Sequence, residues 1–157
     1  MMGSGFAGGL LGTVVLTTMI RVANELGWTR MDLGLILGTA VTPNRRKARA
    51  IGYFIHLGLG LVFAFAYVGV FRVVGFSSWW LGALLGSLHA VFVSTVVINV
   101  LLPVVHPLMG TPETAANEVA LIEPPGFLMR NYGEHTFLIA LAAHVAYGAI
   151  VGVLAAV

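Results

Sequence analysis

The chain contains no cysteine and very little charge. Without thiols, disulfides, iron–sulfur clusters and cysteine nucleophiles are excluded. Charged residues make up 9% of the 157 positions, against about 25% in a soluble domain. A chain so poor in charge cannot clothe a water-facing surface, and its hydrophobic residues reach 59%. The bilayer is therefore expected to be part of its solvent. Also missing are the G-x-S-x-G elbow of serine hydrolases, the phosphate-cradling glycine loops and the H-E-x-x-H zinc signature. No linker-like or low-complexity stretch divides the chain, so one domain is expected.

What is present is apolar sequence in long runs. A spanning helix needs about 20 predominantly apolar residues, and four windows qualify: 5–24, 51–74, 79–105 and 136–157. The first run has no basic residues ahead of it, and Arg21 and Arg30 follow it. That order predicts a membrane span rather than a cleaved signal peptide. Between the first two windows lies a shorter apolar piece, 29–42, which cannot cross. Thr29 and Asp32 provide a capping-box start and Pro43 a stop, which predicts an interfacial or re-entrant helix. The fold class expected is all-α: an integral membrane four-helix bundle with that interfacial helix after span one and a structured inner loop, 106–135, before span four.

Six of the eight Lys and Arg residues lie between Arg21 and Arg49. The positive-inside rule puts this segment in the cytoplasm, and both termini outside it, in a cell (plasma or inner) membrane. Arg45, Arg46, Lys47 and Arg49 are expected to meet anionic lipid headgroups rather than nucleic acid. Trp79 and Trp80 open the third span where an aromatic belt is expected. Glycines recur four apart (Gly8 and Gly12, Gly34 and Gly38, Gly82 and Gly86, Gly148 and Gly152), a spacing that lets membrane helices approach closely.

Ionisable residues inside a span are costly and raise a functional question. His56, His89 and His144 fall inside spans, as does Asn99. Rise per residue places His56 about 10 Å and His144 about 13 Å from the inner edge, with Asn99 at a similar depth. Thr17 or Thr18 joins them from the first span. His89, about 25 Å from His106 along the axis, is assigned to the outer half. One polar layer is therefore expected, with structural hydrogen bonding as its plainest use. Its cofactor use takes two forms. His56 and His144 could act as axial haem ligands, with Asn99 nearby and small residues (Gly52 and Ala140) four positions earlier. Alternatively a metal could be held by His56 and His144 with Glu118, Glu123 and His135 from the inner loop.

In that loop, Thr111, Pro112 and Glu113 form a strong helix start, predicting a short helix over 112–122 that Pro124 and Pro125 end. "EPPGFLMRNYGEH" (123–135) then either lies on the membrane surface or folds under the layer as a lid. The segments "GTVVLTTMIRVANELGWTRMDLGLILG", "HLGLGLVFAFAYVGVF", "WWLGALLGSLHAV", "HPLMG", "EPPGFLMRNYG" and "HVAYGAIVG" together resemble small, functionally uncharacterised four-span membrane proteins of bacteria and archaea. That resemblance implies topology and no catalytic residue. The leading expectation for function is a non-catalytic membrane subunit, packing through its small-residue faces as a homo-oligomer or beside other membrane subunits. A haem- or metal-binding protein with the 106–135 loop as its lid is the alternative, and a channel or transporter unit the third.

Overall fold

The computed structural model describes residues 2–109 and 122–155. Their regular structure is helical, and four helices are long and apolar enough to cross a membrane. These are α1 (Met2–Glu25), α3 (Arg45–Val74), α4 (Trp79–Val105) and α5 (Thr136–Leu154), with the short α2 (Leu33–Thr39) between the first two. Their outer faces carry bare apolar side chains such as Phe54, Val62, Val73, Leu138 and Val153. Such a surface is stable only against other apolar material.

Local chemistry sets the helix ends. Asp32 caps α2 by accepting from the Leu35 amide at 2.9 Å, so this helix starts at Leu33 rather than at Thr29. Thr29 is instead buried, its hydroxyl 2.7 Å from that of Thr136. Asn44 caps α3 by accepting from the Lys47 amide, which makes Arg45–Arg49 the first turns of the helix, ahead of the expected start at residue 51. Ser78 caps α4 through the Leu81 amide, beside the exposed Trp79 and Trp80. Gly75 (φ 85°) ends α3 in the left-handed conformation that glycine adopts without penalty.

Packing is organised by glycine. The extensive helix contacts are α4 with α5, α2 with α3, α1 with α5 and α1 with α3. A Cβ on Gly82 would lie 2.0 Å from the Gly148 carbonyl oxygen, and one on Gly86 would lie 2.2 Å from that of His144. A Cβ on Gly38 would sit 1.7 Å from the Ala48 oxygen, and one on Gly52 1.9 Å from the Gly34 oxygen. Gly12 faces Tyr147 and Gly8 faces Val151. All four glycine pairs thus pack against other parts of the same chain.

α4 contains a nine-residue π-helical stretch, Val93–Leu101. π turns are rare, and they often mark functional sites. α3 and α4 share no extensive backbone contact, and the side chains between them are described below.

The inner connection folds back on the bundle. His106 is buried: its Nε2–H donates to the Ile36 carbonyl at 2.9 Å, and its Nδ1 accepts from the Leu108 amide at 3.2 Å. Phe127–Tyr132 forms a 3-10 turn in which Leu128 (φ 52°) and Met129 (φ 60°) adopt left-handed backbone. Such conformations cost about 1–2 kcal/mol each for a non-glycine residue. They persist here because the turn is bonded on all sides. The Arg30 amide donates to the Tyr132 carbonyl, the Met129 amide to Gly126, the Asn131 amide to Pro125, and the Tyr132 hydroxyl to Glu123. Burial, followed by the charge of Glu123, pushes the Tyr132 phenol above its ordinary pKa, so it stays a donor. The expected helix over 112–122 falls, but for its last residue, outside the described residues, and Glu118 with it.

Candidate functional site: an imidazole-lined chamber in the bundle

A chamber of about 240 Å³ lies between α3 and α4, backed by α1 and α5. Its walls are chiefly apolar: Leu16 and Ile20 from α1, Leu59 and Phe63 from α3, Val93 and Val97 from α4. Its polar contributions come from Thr13, His56, His89, Ser94, His144 and Tyr147. Met31 and Met129, one from each inner connection, complete the lining.

The hydrogen bonds fix two of the imidazoles. His144 Nδ1 lies 2.7 Å from the Ala140 carbonyl oxygen. A carbonyl only accepts, so Nδ1 carries the proton and Nε2 is left as the acceptor. His56 Nδ1 lies 2.8 Å from Thr17 Oγ1, and that hydroxyl donates its one hydrogen to the Thr13 carbonyl at 2.7 Å. With that donation made, Thr17 accepts from His56 Nδ1–H, and Nε2 is again the free acceptor. Both rings are held from behind by helix backbone, one directly and one through a threonine.

His89 completes the cluster. Its ring lies edge-on to that of His144 with centroids 4.8 Å apart, and 3.8 Å from that of Phe63. Its Nδ1 is 3.2 Å from the Tyr67 hydroxyl. Phe63 and Tyr67 thereby bridge α3 to α4 through His89. The Tyr147 hydroxyl donates to the Gly60 carbonyl at 2.6 Å, tying α5 to α3.

Ser94 stands apart from the other membrane hydroxyls. Thr13, Thr17, Thr18, Ser87 and Thr95 each donate to the carbonyl four residues back. Ser94 is 1% exposed, lies in the π-helical stretch, and is the one buried side-chain polar atom among the described residues without a hydrogen-bond partner.

The expected layer needs correction at two points, and a choice it left open is made. His89 belongs to the cluster and not to a separate outer level. From His89 to Val105 the rise is at most about 24 Å, since the π-helical stretch rises less per residue, whereas from Thr136 to His144 it is about 12 Å. Since the two rings touch, α5 starts up to about 12 Å deeper than α4 ends, and His106 and His135 do not mark one plane. Asn99 is half-buried and lies outside the chamber lining. Thr18 is exposed, and Thr17 supplies the contact to His56.

The polar groups of 123–135 also lie away from the cluster. Glu123 is exposed and pairs with Arg30 at 3.2 Å, and Arg30 also donates to the Asn131 carbonyl. His135 is exposed just before α5. Among the described residues no group of three or more His, Asp or Glu side chains is placed to hold a metal ion. The loop meets the chamber through the thioether of Met129 instead. Arg45, Arg46, Lys47 and Arg49 occupy the first turns of α3, with Arg49 Nε 2.7 Å from Asp32.

A second hollow of about 250 Å³ opens at this polar end, lined by Arg21, Asn24, Glu25, Asp32, Arg49 and Tyr53 among others. Ile20, Met31 and Leu33 line both hollows, so three apolar side chains separate the polar recess from the chamber. No protein-family model, curated protein or solved structure matches this chain.

Proposed function

We propose that this chain is a multi-pass membrane protein, with its basic end in the cytoplasm, that binds a small molecule in the chamber. The observation that carries the reading is a hollow lined by two imidazole acceptors held at Nδ1, in a bundle elsewhere packed glycine against backbone. Structural histidines would be expected to satisfy one another or the backbone and leave no space. The chamber is smaller than the roughly 300–1,000 Å³ of sites for drug-sized ligands, which disfavours a haem macrocycle. A subunit role by way of the glycine pairs is disfavoured because those pairs are spent internally. An oligomer would use other faces.

Orientation rests on charge. Arg130 joins the six basic residues of Arg21–Arg49 at the end where α1 finishes and α5 begins, leaving Arg72 alone at the other. The chain has no cysteine, so Arg46→Cys creates a unique thiol. It should resist a membrane-impermeant maleimide in intact cells and react after permeabilisation. Labelling from outside would overturn the orientation.

Occupancy is read by solvent extraction and mass spectrometry of protein purified in mild detergent. Wild type should release one small organic molecule per chain, and Ala140→Leu, which adds three carbons to the chamber wall and narrows the ligand space, should release none. A Soret band or a stoichiometric metal would transfer the site to the cofactor reading.

A further inference from the structure

The polar inventory of the chamber specifies its ligand more narrowly, given the chamber reading above. Among the described residues no Lys, Arg, Asp or Glu lines it, so none of them offsets a ligand charge. A charge desolvated without a partner is very costly, and the ligand is therefore neutral. His56 and His144 each commit Nδ1–H to protein and leave Nε2 as an acceptor, so these two rings call for donors on the ligand. The unpartnered hydroxyl of Ser94, almost wholly buried in the same lining, offers a third polar contact of either sense. Size is bounded as well. A dry apolar cavity of about 150 Å³ accepts benzene, so about 240 Å³ accommodates one substituted ring. The ring faces and edges of Phe63, His89 and Tyr147 suit an aromatic body.

We infer that the chamber binds a neutral single-ring aromatic alcohol carrying two hydroxyl donors, of the hydroquinone class, with its hydroxyls on His56 Nε2 and His144 Nε2 and Ser94 as a supplementary contact. Binding alone is inferred, with no bond made or broken.

The test uses full-length protein labelled with 15N-histidine in detergent, with hydroquinone and 1,4-dimethoxybenzene as probes. The second ring has the same skeleton and no donor. The Nε2 resonances of His56 and His144, assigned with His56→Gln and His144→Gln, should shift saturably with hydroquinone. The dimethoxy compound should bind at least about tenfold more weakly, as expected for two lost hydrogen bonds. Ala140→Leu, checked for folding by its unchanged helical signal, should abolish the shift. Equal affinity for the two rings would overturn the ligand class while leaving the chamber reading intact. No saturable shift with either ring would overturn both.

Discussion

Gly82→Ala should lower the stability of the bundle by about 2–3 kcal/mol, as overpacking against rigid neighbours does. The added Cβ would meet the Gly148 carbonyl oxygen at 2.0 Å, with the Gly148 carbonyl carbon and the Gly152 Cα close behind. Backbone cannot rotate aside as a side chain can. α4 and α5 must separate, and the seam that includes Gly86 against His144 opens with them. The cost should outweigh the ~1 kcal/mol that alanine gains over glycine within a helix. Gly69→Ala is the control, because nothing lies within 4 Å of the Cβ it would add. Unfolding by sodium dodecyl sulfate in mixed micelles, followed by circular dichroism, reads both. If Gly82→Ala proves as mild as Gly69→Ala, the close α4–α5 seam is wrong.

His106→Ala carries the second large effect, about 3 kcal/mol from a lost side chain plus two orphaned partners. The imidazole joins the chain leaving α4 to the end of α2. Its Nε2–H reaches the Ile36 carbonyl at 2.9 Å with Thr39 Oγ1 at 3.3 Å, and its Nδ1 receives the Leu108 amide. Both ring nitrogens are occupied, unlike those of His56 and His144. This histidine is a structural tie. Hydrogen exchange should therefore accelerate in Leu33–Thr39 while the α4–α5 seam keeps its protection. Uniform acceleration, or none, would show that α2 does not depend on this contact.

The sequence made the four long apolar helices legible because their signal is local and repeated over about 20 residues. The cap at Asp32 was legible as a residue type and misplaced as a boundary. Thr29, three residues earlier, looked like an equally good start, and it takes Thr136, a partner 107 positions away. The π-helical stretch left no periodic signature distinct from an apolar α-helix. His89 was placed in the outer half for a geometric reason: rise per residue gives depth along one helix, whereas the offset between helices is set by which glycine meets which carbonyl. Gly86 opposite His144, with His89 one turn further on, decides the cluster, and no composition or spacing encodes that pairing. The acids of 123–135 drew attention by their chemistry, but Met129 is the residue of that stretch that reaches the chamber. An apolar residue between a leucine and an arginine carries no functional signal of its own.

The unequal helices also bear on the surrounding lipid. α3 has 30 residues and α5 has 19, lengths of about 45 and 28 Å at the usual rise. A hydrocarbon slab is about 30 Å thick, so α5 matches it upright while α3 must lean or protrude. The surplus of α3 lies in Arg45–Arg49, so in a bilayer its basic first turns would stand beyond the hydrocarbon among the headgroups, and the two sides of the protein would share one slab thickness.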